Sequence, residues 1–421
     1  MLLAIRRQLI HILVAITMLA ALASQACAAT ISLEDAIARA LIFAPSVASA
    51  SAQSDLDNAR VDEFRAPLFP SLAANGEYQQ TPGYDPIVTN RGLTLGQLGL
   101  DYTAFDGGRR SAQVRSAHYA AMAAALGITA ARNQIIFDTT IAYYDLARAL
   151  AAEAELQASV ERLTQYVKVI EALQRSGRAI ASDVLMLRAS DDSAMLTLAA
   201  GHQAAAHASI MLGSMIGDFN DTALRVTDVP APSPPPDGDG SQNPAYRAAT
   251  RAVQAAKLTV DAARDERSPS FKIALTTGWE GINPPKTFDH YFGASYDGAV
   301  SVPIFDGGLI RAHINEAQAA VHAALAQQHQ IDVQNRRDLA DARSRYKDAS
   351  DQIVLLRGSR QTADDLFALA WTRFLGGGNI TLLEVVSAYQ QAESLRLALF
   401  DQQFAARQAT AQVDAILGLA Q

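Results

Sequence analysis

The chain has 421 residues, a formal net charge of −8, and a composition that is 49% hydrophobic but only 7% aromatic. Much of the apolar fraction is alanine, which suits long helices packed through small side chains better than one thick globular core. The acidic balance and the lack of a long basic run argue against a nucleic-acid partner. Eight histidines form no metal-ligand cluster, so neither a metal site nor another cofactor is expected.

Residues 1–28 read as an export signal. Arg6 and Arg7 supply the charged region, 10–22 the apolar region, and Ala26-Cys27-Ala28 an A-x-A cleavage site. Cys27 is the only cysteine. A lipidated cysteine calls for an aliphatic residue three places earlier, where Ser24 stands, so lipidation is the lesser alternative. Cleavage after Ala28 leaves no thiol, and disulfides then play no part. Past the signal, no continuous apolar run reaches the ~18 residues of a spanning helix. The mature chain is therefore either a soluble exported protein or a membrane β-barrel.

The tetrapeptide Phe105-Asp106-Gly107-Gly108 returns as Phe305-Asp306-Gly307-Gly308, and the flanking pattern returns with it. The first repeat is assigned to 29–229. It opens on a helix capped by Ser32 with Asp35 in capping-box position, followed by a second helix from Pro45 that Pro67 and Pro70 stop. Strands follow at about 71–80 and 93–105, around a loop at 81–92. Leu93 and Leu95 fall out of phase with Leu98 and Leu100, which suggests a bulge near Gly96-Gln97. Helices at about 107–176 and 182–217 complete the repeat; Leu156, Val160, Leu163, Val167 and Ile170 keep heptad spacing and call for a neighbouring helix. Residues 230–244 form a Pro/Gly-rich linker. The second repeat, 245–421, carries strands at about 271–281 and 291–305 and helices at about 307–375 and 381–419, with Leu339, Ala342, Tyr346, Ala349, Ile353 and Leu356 on its seam. Asp106 and Asp306 sit where a carboxylate caps a helix, and Gly107, Gly108, Gly307 and Gly308 supply the backbone freedom of a strand-to-helix corner.

Strands of this length, apolar on one face and polar on the other, suit a tilted crossing of a bilayer, with Tyr78, Tyr102, Trp279, Tyr291 and Tyr296 as interfacial anchors. A soluble sandwich sheet alternates in the same way, but neither hairpin has a second sheet to cover it. Four strands cannot close a barrel, and an open edge in lipid costs several kcal/mol per unsatisfied backbone group. Several copies must then share one barrel, with the helices packed into a tube that continues it.

The tandem halves, the two corners, and the helix turns Gly177…Asp183-Val184-Leu185 and Gly378…Glu384-Val385 make the chain resemble the TolC family of outer-membrane efflux proteins. The resemblance implies a mainly α protomer with a small β part. It implies a homotrimer in which a long α-helical barrel through the periplasm continues a shared 12-stranded transmembrane β-barrel in outer-membrane lipid. It implies a passive channel of a tripartite efflux or type I secretion system, partnered by a periplasmic adaptor protein and an inner-membrane transporter, with drugs, metals or proteins as cargo. Matched residue by residue, Glu384 stands at a carboxylate ring of the channel constriction, and the second ring position falls at Ser387. Asp183 matches a residue that helps hold the closed end, but its family partners fall at Ile380 and Leu375; Arg178 is a candidate substitute. The turns with Gly177, Arg178, Gly377 and Gly378 become adaptor-docking tips. For both acids, plain capping of the returning helix competes with the gate role. His202 and His207, and His322 and His329, lack the spacing of a tight metal pair. The alternative to a channel is a periplasmic coiled-coil scaffold without a pore, which explains the heptads but not the paired strands. No nucleophile elbow, phosphate loop or mature cysteine supports an enzyme.

Overall fold

The computed structural model describes residues 30–89, 91–219, 223–227, 229–282 and 291–419. The expected signal 1–28, with Cys27, and the loop at Asn283-Pro284-Pro285 lie outside them. In chain order the elements are β1 (Thr30–Ile31), α1 (Leu33–Phe43), α2 (Pro45–Arg65), β2 (Ser71–Gln80), a one-turn α3 (Pro86–Thr89), β3 (Gly92–Phe105), α4 (Arg109–Arg175) and α5 (Ala181–Ile216). There follow β4 (Arg225–Val226), α6 (Pro244–Asp265), β5 (Ser270–Ile282), β6 (Tyr291–Ser301), α7 (Leu309–Leu375) and α8 (Leu382–Leu417). Both α4 and α7 have 67 residues, and both α5 and α8 have 36. At 1.5 Å per residue the longer pair are each ~100 Å long.

Among the described residues two compact units form, and each draws on both sides of the linker: one within 30–44, 132–239 and 337–419, the other within 45–131 and 240–336.

The second unit holds a four-stranded antiparallel sheet in the order β2-β3-β5-β6. Directly paired residues share a face, so the register decides which side is apolar. Leu72 pairs Leu100, Leu100 pairs Leu275, and Leu275 pairs Tyr296, while Trp279 pairs Phe292 and Phe271 pairs Val300. The other face carries Asn75 opposite Gln97, Asp101 opposite Ala274, and Lys272 opposite Ala299. The apolar face is bare: Leu72 is 71% exposed, Phe292 70% and Tyr296 78%. The indole of Trp279 packs against Gly96, where a Cβ would come within 2.9 Å of its nitrogen. Beside the sheet, small side chains let helices approach closely, with Val61 against Ala117 and Ala121, and Val260 and Ala263 against Ile314 and Ala317.

Three expectations need correction. The register runs unbroken from Gly92 to Asp101, so there is no bulge at Gly96-Gln97, and Leu93 and Leu95 stay on the polar face, half-buried. The irregularity falls between Thr103 and Phe105, where the extra residue brings Phe105 opposite Phe271. Strand β6 ends at Ser301 rather than 305, because its partner Ser270 is the first residue of β5 and the flanking Pro269 and Pro303 have no N–H to donate. The long helices begin at Arg109 and Leu309 rather than at 107 and 307, since the glycine pairs take positive φ (73° and 100°, then 65° and 94°) that no helix accommodates. In addition, one 18-residue stretch of α4 reaches a mean hydropathy of 1.2 with few charges. Its alanines lift the mean without a continuous run of large apolar side chains.

The first unit is a layer of four helices. Glu153 of α4 meets His202 of α5 at 2.7 Å, Asp145 of α4 accepts from Gln408 of α8 at 2.9 Å, and Arg396 of α8 reaches Asp364 of α7 at 2.6 Å. The heptad residues lie in these seams: Leu163 and Ile170 pack with Val184, Leu187, Leu382 and Val385, and Ala349 and Ile353 pack with Leu399 and Ala406. One side of the layer is covered by α1, the short parallel pair β1–β4, and the linker. Arg407 Nε donates to the Pro230 carbonyl at 2.6 Å, the Thr410 hydroxyl to Ser233 at 2.9 Å, and Arg343 to Gly238 at 2.9 Å. Tyr143, fully buried, donates to the carbonyls of Ile31 and Thr227.

Replacing Tyr143 with Phe removes that donor from two enclosed carbonyls. The expected loss is about 1–3 kcal/mol of stability, read by thermal unfolding, with faster amide exchange at Ile31 and Val226 than in the parent protein.

Candidate functional site

The strand-to-helix corners share a backbone but not their chemistry. At the first, Asp106 accepts from Gly108 N at 3.3 Å and Arg110 N at 3.1 Å, and Arg110 Nε returns a 2.8 Å ion pair. The same guanidinium donates to the carbonyls of Pro67 and Thr103, so one side chain ties α4 to both β3 and the single turn Ala66–Leu68 that follows α2. Burial opposes ionisation of Asp106, but its hydrogen bonds with Arg110 win and hold the carboxyl below its usual range. At the second corner, Asp306 accepts from Gly308 N at 2.9 Å and Ile310 N at 2.7 Å, and the residue four places on is apolar. The backbone donors of Ile310 and then Gly308 lower its pKa. A Cβ on Gly107 would run into Ser268, and one on Gly108 would meet Asp265, whereas a Cβ on Gly307 or Gly308 would meet no such neighbour within 4 Å among the described residues.

The two helix turns at the other end of the long helices are built alike. Gly177 has φ 74°, with Gly177 N donating to Gln174 and Arg178 N to Leu173; Gly377 has φ 74°, with Gly377 N donating to Phe374 and Gly378 N to Arg373. Each is a left-handed close in which two orphan carbonyls find partners. The returning helices are capped unequally. Thr381 and Glu384 make a full capping box: Glu384 N donates to the Thr381 hydroxyl at 3.3 Å, and the Glu384 carboxylate accepts from Thr381 N at 2.7 Å. Asp183 accepts from Ile180 N at 3.2 Å, but Ile180 has no side-chain oxygen to complete the box, and Asp183 N donates to the Ile180 carbonyl at 3.1 Å instead. Asp183 makes no link to Ile380 or Leu375 side chains; instead Arg178 donates to the Leu375 carbonyl at 2.6 Å and joins the two turns. Ser387, where the resemblance puts the second ring position, donates to its own helix at Leu383. The N–H of Thr381, then its hydroxyl, hold Glu384 below the usual carboxylate range. That cap is complete above the ordinary carboxylate pKa and is lost as pH falls through the lowered value.

Between these turns and the rest of the first unit lies a charged network that sequence reasoning missed. Arg162 pairs with Glu155 at 2.7 Å and Glu393 at 3.0 Å, and Arg396 pairs with Asp364 at 2.6 Å and Glu393 at 3.4 Å. It spans α4, α8 and α7. Burial pushes the Glu393 carboxyl up, Arg162 opposes, and Glu155 adds to the rise. The signal was present in the seven-residue interval from Glu155 to Arg162, which places both on one helix face.

A model of the outer membrane efflux protein family matches residues 36–218 and 241–419. The chain belongs to that family. It is an outer-membrane protein that extends into the periplasm. Protein CyaE of Bordetella pertussis is 27% identical over 311 residues, covering 69% of this chain and 64% of that protein. Outer membrane protein TolC of Escherichia coli is 22% identical over 340 residues, covering 75% and 67%. The chain thus spans about two thirds of the length of these curated relatives. Its fold is similar to that of the outer membrane protein VceC from Vibrio cholerae, with a TM-score of 0.82 at 22% identity over 92% of this chain and 96% of that one.

Two outcomes follow. Gly107→Ala should cost about 2–4 kcal/mol, from left-handed strain plus the collision with Ser268, while Gly307→Ala should cost only about 1–2 kcal/mol; chemical unfolding of the detergent-solubilised protein separates them. Arg162→Ala leaves Glu393 facing Glu155 with one counter-charge fewer. A loss of about 1–3 kcal/mol is expected, less than for a fully buried pair because Arg162 is 32% exposed.

Proposed function

We propose that the protein is a passive outer-membrane conduit, assembled from three copies whose strands share one 12-stranded barrel and whose helices form a periplasmic tube. The observation that carries this reading is the two-faced sheet with bare edges. Strands β2 and β6 run in opposite directions, so β6 of one copy can pair antiparallel with β2 of the next. Closure then satisfies every edge and turns the apolar face to lipid.

The unequal corners support the same assembly. The first corner sits against Ser268 and Asp265, at the junction of α6 with β5. The corresponding seat for Gly307 and Gly308 is the junction of α2 with β2, which only a neighbouring copy supplies. On this reading the sequence is organised as two structural repeats, 29–229 and 245–421, on either side of the 230–244 linker.

In this conduit the turns with Gly177, Arg178, Gly377 and Gly378 are docking tips for a periplasmic adaptor. Exposed Ile180, Leu185 and Leu383 near them offer apolar contact. Glu384 forms the constriction ring, with Asp183 a cap and Arg178 the link between turns. A tripartite efflux or type I secretion system, with an inner-membrane transporter, is the setting. The chain works as a channel and not as an enzyme.

Mass measurement of the detergent-extracted protein should give three copies, and planar-bilayer recordings should give steady channels; a water-soluble monomer with no bilayer affinity would support the scaffold instead. Glu384→Gln should reduce the preference for cations over anions in those recordings. Unchanged selectivity would leave Glu384 with capping alone.

A further inference from the structure

On the linker side of the first unit, α1, α4, α8 and the linker enclose a cavity of about 280 Å³. Its walls follow from helical spacing. Ile136, Thr140 and Tyr144 of α4 stand four apart, and Arg407, Ala411 and Asp414 of α8 four and three apart, so each helix turns one face inward. Pro230 and Ser233 close the outer side, held by Arg407 Nε and the Thr410 hydroxyl.

The threonines of this wall are engaged within the protein, Thr140 donating to the Ile136 carbonyl at 2.7 Å and Thr410 to that of Ser233 at 2.9 Å. Its three titratable groups are not. The Arg407 guanidinium sits over the Phe404 ring, 4.8 Å from the centroid, and its Nη1 is cut off from solvent with no acceptor among the described residues. Tyr144 is only 7% exposed, and its hydroxyl makes no hydrogen bond among them. Asp414 is half-buried, and its carboxylate meets no donor there either. Burial pushes the Asp414 carboxyl up with nothing to oppose it. Burial also pushes the Tyr144 hydroxyl up, with Arg407 opposing and Asp414 adding, so both charges act on that one group.

The signs of these groups choose the ligand. An anion on Arg407 is repelled by Asp414, and a cation on Asp414 is repelled by Arg407. A zwitterion satisfies both, and its carboxylate and ammonium each gain charge-assisted hydrogen bonds. Ile37 and Phe137 make the rest of the wall apolar. The volume falls at the lower end of the ~300–1,000 Å³ typical of ligand pockets, which suits a molecule smaller than a drug.

We propose that this cavity binds a small apolar α-amino acid as its zwitterion, with the carboxylate on Arg407 Nη1 and the Tyr144 hydroxyl, the ammonium on Asp414, and the side chain against Ile37 and Phe137. The site does not depend on the conduit reading, because every group in it belongs to one copy. Since Pro230 and Ser233 form one wall, a bound ligand fastens the linker to α8.

The test is isothermal titration calorimetry of the purified full-length protein in detergent with three probes of one shape. These are L-phenylalanine, 3-phenylpropionate, which lacks the ammonium, and 2-phenylethylamine, which lacks the carboxylate. Phenylalanine is expected to bind saturably and at least about tenfold more tightly than either of the others. Asp414→Asn should weaken phenylalanine about tenfold and tighten 3-phenylpropionate, because a repelling charge is gone. Tyr144→Phe should weaken phenylalanine about fivefold. No saturable binding at millimolar phenylalanine means that water alone serves these groups, and it overturns the proposal. Equal affinity for the three probes, or phenylalanine binding that neither variant changes, overturns it as well. Should Asp414→Asn fail to assemble, Tyr144→Phe decides, because its hydroxyl supports no hydrogen bond among the described residues.

Discussion

Peptide groups on the rim of a sheet must be satisfied, and in hydrocarbon no water can do it. That constraint governs this molecule. Among the described residues, strands β2 and β6 each present one unpaired edge, and the sheet they bound has an apolar face left bare. Everything beyond the strands follows from getting four short segments to the right place with the right phase. The corner glycines turn each strand into a helix within a few residues, and Asp106 and Asp306 start those helices by accepting from their first free N–H groups.

The helices solve a different problem. An alanine-rich chain gains little from each burial, so it gains by length, with seams running between neighbours over tens of residues. Such seams are strong collectively and soft locally. Chemistry is therefore concentrated where position matters: the latch of Arg110, the network around Arg162 and Arg396, and the caps on the returning helices. The unequal caps mean that the start of α8 is held by two reciprocal side-chain bonds and the start of α5 by one. The arginine network ties α4, α8 and α7 into one body close to those starts.

Much of this was legible in the residues. The alternation of Leu72, Leu98, Leu100 and Leu275 with polar neighbours gave the apolar face, and the heptads at Leu163 and Ile170 gave buried seams. The resemblance drawn from the corners and helix turns named the family that matches along the chain. What failed did so for tertiary reasons. Leu93 and Leu95 suggested a bulge because phase alone cannot show that a half-buried leucine is tolerated on a polar face. The end of β6 depended on where β5 starts, which is a property of the partner. Arg110 was missed because an i, i+4 pair with Asp106 is common on any helix, and only the fold brings the carbonyls of Pro67 and Thr103 to it. Glu393 was missed because its neighbours come from three helices.

Past Ser301 the chain continues for several residues without a strand partner, and Val302, Ile304 and Phe305 lie 51%, 96% and 91% exposed. On the opposite rim Phe69, just ahead of β2, is 64% exposed. An isolated copy therefore carries adhesive ends on both margins of its sheet. Its lifetime in that state is limited by self-association, which covering either margin would slow.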